Sequence, residues 1–270
     1  MFPVAREIWK HTKGMSRLKL LAAAASVSRP FLRPFTLGYL KMISRSGTFW
    51  AEYNNNGKTV STSFRLSELP SDFTSFREVG IGDCYHVPKD FQPNVVIDGG
   101  GNTGLFTISV LNRWPESKVI VVEPLVENIR QIENHLRMNS LSANVHQCCL
   151  GFPEGILKFY RREANQGSFD PSVPYYDSLD IRVMSIHRFL SLDPKERCLI
   201  KLDIEGAELS VIEDFLRGPH GNSLIVGELH DVKRQKEKFF KLLAASGWTG
   251  VLFDESEHCA IFHATPEAKL

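Results

Sequence analysis

Three acids within six residues, Asp203, Glu205 and Glu208, follow the short apolar run Leu199-Ile200-Lys201-Leu202. Carboxylates at this density can take a proton from a hydroxyl, orient a cation or hold a hard metal ion. A helix dipole favours acids at a helix start, which accounts for Glu208 better than for Asp203 at the strand tip. A second run ends in Gly227-Glu228-Leu229-His230, adding a carboxylate and an imidazole, the side chain that titrates nearest neutrality. A third is followed by Asp98-Gly99-Gly100-Gly101-Asn102-Thr103-Gly104. Glycines let the backbone approach a ligand closely, and three in succession are entropically costly without a reason. Gly99, Gly101 and Gly104 fit the dinucleotide spacing G-x-G-x-x-G, which is weak evidence alone. Glu123 closes another apolar run and can accept bonds from two ribose hydroxyls, a feature shared by adenosine-binding and nicotinamide-binding folds. Asp98 separates the two, because a carboxylate at the mouth of the turn would repel a pyrophosphate and tolerate a cationic sulfonium amino acid.

Such residues act together only if their strands end on one edge. Val95-Val96-Ile97, Lys118 to Val122, Asn144 to Leu150, Leu199 to Leu202 and Ser223 to Val226 read as strands buried on both faces. Between them, Leu125 to Asn139 carries Val126, Ile129, Ile132 and Leu136 at helical spacing, and Leu209, Ile212 and Leu216 mark another helix. Alternation of this kind predicts an α/β fold with a doubly wound, mostly parallel sheet. Trp248 to Phe253 and His258 to His263 are spaced to pair as a final antiparallel hairpin. Upstream, Asn54-Asn55-Asn56-Gly57 joins two strands of a hairpin between Gly47 and Arg65. The expected division is a basic helical N-terminal extension (1–48), a hairpin and lead-in segment (49–92) and a main domain (93–270). A long segment with Phe169, Tyr175, Tyr176 and Asp177 precedes the fourth strand, either covering an acceptor or packing as ordinary core.

At 43% hydrophobic and 23% charged, the 270-residue chain has the composition of a globular protein, which excludes a collagen, a disordered tail or a low-complexity scaffold. A net charge of +1 does not favour a nucleic-acid partner. The charge is uneven: residues 1–49 hold nine Lys/Arg and one acid, Glu7, leaving −7 for the remainder. A leader at +8 fits peripheral contact with an anionic membrane or an acidic partner, but Pro30 and Pro34 break it up, and a solvated helical extension is the favoured reading. Its longest largely apolar run, Leu20 to Val27, is too short to span a bilayer, and Arg29-Pro30 follows too soon for an export signal. Five cysteines, an odd number without zinc-knuckle spacing, fit free thiols and a cytoplasmic setting.

Together these motifs resemble the FkbM-type family of S-adenosylmethionine-dependent methyltransferases over roughly residues 70 to 265. Val96 to Gly104 matches its Val-Ile-Asp-x-Gly-x-Asn-x-Gly turn, Glu123-Pro124 its second-strand Glu-Pro, Lys201 to Glu208 its Lys-x-Asp-x-Glu-Gly-Ala-Glu block, and Glu228 with His230 its Glu-x-His. Members usually carry alanine at Gly101, a short aliphatic at Gly99, and Leu-Asp-Asp where this chain has Ser185-Ile186-His187. The resemblance implies a seven-stranded Rossmann-like sheet with a reversed last hairpin. It implies that Asp98, Gly99, Gly100, Asn102, Thr103 and Gly104 line the methionine moiety of S-adenosyl-L-methionine and Glu123 the ribose. Pro124, Cys149, Asp203 and Glu205 complete that set, Glu205 binding the methionine amine or orienting the acceptor. The implied reaction is O-methylation of a hydroxyl on a sugar, glycan or secondary metabolite, with His230, Asp203 or Glu228 as base. Those three residues could instead hold a divalent ion, ranked second because His is an uncommon ligand for hard ions. The competing functions are a nicotinamide-dependent oxidoreductase, disfavoured by Asp98, and a non-catalytic methyltransferase-like binding protein, disfavoured by the polar rim.

Overall fold

The computed structural model describes residues 3–29, 31–162, 167–168, 174–190, 196–218 and 222–267. In chain order the elements begin with helices α1 (Pro3–His11), α2 (Gly14–Ser28) and α3 (Arg33–Ile43) and strands β1 (Thr48–Asn55) and β2 (Lys58–Arg65). Helix α4 (Leu69–Ser75), strand β3 (Val95–Gly99), α5 (Leu105–Arg113), β4 (Lys118–Val122) and α6 (Val126–Met138) follow. Next come β5 (Asn144–His146), β6 (Cys149–Leu150), β7 (Gly155–Arg161), β8 (Gly167–Ser168) and β9 (Asp177–Met184). The chain closes with β10 (Cys198–Leu202), α7 (Glu208–Phe215), β11 (Leu224–His230), α8 (Val232–Ala245), β12 (Trp248–Phe253) and β13 (Cys259–Pro266).

These elements form two compact units. The first comprises Met1–Cys84, Asn102–Pro115 and Arg130–Ser142, the second Tyr85–Gly101, Glu116–Ile129 and Ala143–Leu270. In the first unit, β1 and β2 pair around Asn56-Gly57, both at positive φ as a tight hairpin turn requires. The hairpin buries Phe49, Tyr53 and Phe64 with Phe73 and Phe76, and Phe49 stacks on Phe64 at 5.0 Å. His135 is buried there, and burial lowers its pKa. As a neutral ring it donates from Nδ1 to the Thr103 carbonyl (2.7 Å) and accepts the Ser63 N–H at Nε2 (2.9 Å).

The second unit holds the seven-stranded sheet, in the order β12-β13-β11-β10-β3-β4-β5. The pairs from β11 through β5 are parallel, and β13 runs antiparallel to both β11 and β12. Strand order runs outward in both directions from β3 and β10, the doubly wound arrangement the alternation predicts, so the switch point lies between those two strands. Every residue of β3 and β10 is buried, as the continuous apolar runs require.

The structure divides the third predicted strand. Asn144–His146 joins the main sheet, whereas Cys149–Leu150 pairs with Val183–Met184 in a second sheet ordered β6-β9-β7-β8. Strand β9 begins at Asp177, so part of the expected aromatic loop is regular structure.

Candidate active site

The parallel register sets Lys201 of β10 against Asp98 of β3 and Leu202 against both Gly99 and Gly227. The Lys201 ammonium lies 3.3 Å from the Asp98 carboxylate, with both side chains almost wholly buried. It also donates to the carbonyls of Gly99 (3.1 Å) and Gly100 (2.6 Å). Burial by itself would lower the Lys201 pKa, but Asp98 and Asp203 outweigh it and raise it. Gly100 sits at φ +75°, where a Cβ would come within 1.9 Å of the Asp203 carbonyl. The backbone just past the end of β10 therefore makes a close approach that demands this glycine. Asp98 likewise is no open charge at the mouth of the turn: it is fully buried and neutralised by Lys201.

One position beyond Leu202, the chain leaves the sheet, and its acids Asp203 and Glu205 are half-buried. Asp203 is held by the Tyr85 hydroxyl, which donates to its Oδ2 at 2.9 Å. Glu205 adopts a left-handed conformation (φ +57°) on the way into α7. At the end of the neighbouring strand, His230 donates from Nδ1 to Glu208 Oε1 at 3.0 Å, and its Nε2 lies 3.7 Å from Glu205 Oε2. The same Glu208 oxygen accepts the N–H groups of Ile204 and Gly206, so one buried carboxylate both shapes the strand-to-helix turn and fixes the imidazole. Asp203, Glu228 and His230 each place one ligating atom within 4.8 Å of the others, a set that could hold a divalent ion or surround a hydroxyl.

Burial by itself would lower the His230 pKa. The bond to Glu208 and the charges of Glu208, Asp203 and Glu205 outweigh it and push the imidazole up to about 10. Burial pushes the Glu205 carboxyl up to about 7, with His230 opposing the shift and Asp203 and Glu208 adding to it. Glu228 hydrogen-bonds Cys259, whose thiol is raised by burial first and by this bond second.

Glu123 is buried at the end of β4, its Oε1 accepting from the Leu125 N–H (3.0 Å) and the Asn128 amide (3.2 Å). Pro124 follows half-buried, its carbonyl accepting from the Gln147 amide. Cys149 is buried close enough to Glu123 that the carboxylate adds to the rise that burial gives its thiol pKa. Asn102, Thr103 and Gly104 belong to the first unit. There Asn102 donates to Ser75 Oγ (3.3 Å), Thr103 binds His135 as described, and Gly104 opens α5 at φ +80°. Tyr175 and Tyr176 are exposed, Tyr175 against the Tyr160 ring, while Asp177 pairs with Arg161. Phe169 lies outside the described residues.

Sequence reasoning missed Lys201, Tyr85 and Glu208 as site-builders. A lysine inside a five-residue strand buried on both faces was the available signal, because such a charge requires a partner. Tyr85 lies 118 residues from Asp203 and left no signal.

The family model of the methyltransferase FkbM domain matches residues 98–255, more than half of the chain. The chain belongs to this family. Its chemistry is methyl transfer, and the strand-tip motifs all fall within the matched FkbM region. The chain is also similar to Methyltransferase 1 of Beauveria bassiana, at 27% identity over 64% of this chain and 79% of that protein. Methyltransferase sdnD of Sordaria araneosa is 23% identical over 56% of this chain and 71% of its own length. Among solved structures, TYW2 of M. jannaschii in complex with AdoMet aligns over 82% of this chain and 86% of its own, with TM-score 0.46 and 9% identity.

Proposed function

We propose that this FkbM methyltransferase uses S-adenosylmethionine to methylate a hydroxyl on a sugar, glycan or secondary metabolite. The reading is carried by the convergence of Asp203, Glu228 and His230 at the ends of adjacent strands, their ligating atoms within 4.8 Å. A hydroxyl among them meets proton acceptors on more than one side. The chemistry of the donors also fits the cofactor. Asp203, Glu205, Glu208 and Glu228 face one imidazolium here while Lys201 is taken up by Asp98, and this excess of carboxylate favours a sulfonium and an ammonium.

When bound, the cofactor supplies a methyl carbon already activated by its positive sulfur. The residues of the chain need only align the acceptor oxygen and remove its proton, and alignment alone is worth on the order of 7 kcal/mol. Within the trio, His230 is charged near neutral pH and tied to Glu208, so Asp203 and Glu228 accept the proton, with the imidazolium within 4.8 Å of both. Glu205 offers a second seat for that proton, its pKa of about 7 being matched to neutral pH. Glu123 is the ribose residue of this reading.

Calorimetric titration tests the assignment. S-adenosylmethionine and S-adenosylhomocysteine are expected to bind in the micromolar range, weakened by about 1–3 kcal/mol in Glu123→Gln, as for a lost charge-assisted bond. Binding of a nicotinamide dinucleotide in place of both would overturn the reading.

A further inference from the structure

We infer that the N-terminal helices form a docking surface for an anionic lipid bilayer. Sixteen large hydrophobic side chains are exposed among the described residues, and eight of them lie in the first fifty positions. Phe35 and Met42 are the most exposed, at 78% and 77%. With Tyr39 between them, they stand at i, i+4 and i+7 and so share one face of α3. The Tyr39 hydroxyl donates to the Met15 sulfur at 3.5 Å, which joins that face to the exposed Met15 of α2. Phe31 lies one turn before Phe35 and is 69% exposed. The apolar side chains are thus one surface spread over two helices.

Cations accompany these side chains in the same segment, two of them over half-exposed tryptophan rings. The Arg17 guanidinium lies 3.9 Å from the centre of the half-exposed Trp9 ring, and the Lys19 ammonium 4.2 Å from that of Trp50. Arg33, Lys41 and Arg45 are exposed on and just after α3. The leader carries nine Lys/Arg against one acid, whereas the remainder of the chain is net acidic, so this segment holds a large excess of positive charge.

Exposed phenyl and thioether groups among lysines and arginines match the acyl–headgroup boundary of an anionic leaflet. The bilayer buries the apolar groups while its phosphates and serine carboxylates meet the cations. A nucleic acid would satisfy the charges and leave Met15, Phe35 and Met42 in water. No helix among the described residues is long and apolar enough to cross a membrane, so the contact is peripheral.

Co-sedimentation of the full chain with phosphatidylcholine vesicles carrying about one-third phosphatidylserine tests the inference, with pure phosphatidylcholine as control. The mixed vesicles should bind the protein at least tenfold more tightly than the control at low salt, less so as salt rises. The combined variant Phe31→Ser, Phe35→Ser, Met42→Ser should lose roughly tenfold or more in vesicle affinity, as should Arg33→Gln, Lys41→Gln, Arg45→Gln. All six side chains are exposed, so the melting temperature of both variants should stay near that of the parent. Quenching of tryptophan fluorescence by brominated-chain lipids reads the same contact in the unsubstituted protein. No binding to the mixed vesicles, or no quenching, overturns the inference. So does full vesicle affinity in the apolar variant together with displacement by duplex RNA, which would mark a general polyanion surface.

Discussion

Lys201 and His230 both face carboxylates at the carboxyl edge of one sheet, in adjacent strands, and differ in access to solvent. The Lys201 side chain is 4% exposed and its partner Asp98 0%, whereas His230 is 23% exposed and Glu205 24%. The sealed pair spends its donors internally: Lys201 contacts Asp98 and the backbone carbonyls of Gly99 and Gly100. The open cluster anchors one side of its imidazole on Glu208 and leaves Asp203, Glu205 and Glu228 half-buried around the other. Residue type therefore does not assign the role. Lys201 and Asp98 hold the ends of β3 and β10 in place, and the half-buried His230 cluster is where the proposed function puts the acceptor.

The largest expected effect breaks the sealed pair. Lys201→Met leaves Asp98 as an uncompensated buried charge and should cost about 3–5 kcal/mol of stability in a denaturant titration. Adding Asp98→Asn removes that charge and should recover much of the loss. A double variant no more stable than the single one would mean the pair has no sealed, mutually compensating character.

A smaller effect sharpens the same contrast through pH. The folded-state pKa of His230 lies above its ordinary value, so its stabilising contribution is complete below about pH 6.5 and is lost as pH rises through about 10. Glu205, raised to about 7, adds a loss in the same direction between its ordinary carboxyl range and neutrality. The melting temperature should therefore fall from pH 6 to pH 10 by a few degrees, and His230→Gln should flatten the fall. An unchanged slope in His230→Gln would show that the imidazole is not held charged by its neighbours.

What the sequence made legible follows the same division. The strand tips bearing Asp203, Glu228 and His230 were readable because continuous apolar runs mark strands buried on both faces, and parallel neighbours end on one edge. Asp98 was placed correctly at the end of a strand but read as an open charge, because its pairing with Lys201 depends on inter-strand register. Glu208 looked like an ordinary helix-start acid, and its bond to His230 appears only when α7 and β11 are packed. Cys149-Leu150 reads apolar in either sheet, and its partner Val183–Met184 lies more than thirty residues downstream, so local pattern could not choose between them. The two-unit division is non-local too, since the chain leaves the second unit after Gly101 and returns at Glu116.

The central claim, that methyl transfer takes place in the open cluster, is tested most directly by single-turnover transfer of a labelled methyl group to hydroxyl acceptors. Asp203→Asn and His230→Ala should each lower the transfer rate by about 10²–10⁴-fold at saturating S-adenosylmethionine, a loss larger than any accompanying fall in cofactor affinity. Near-normal transfer in both variants would contradict the account and move the chemistry away from the tips of β10 and β11.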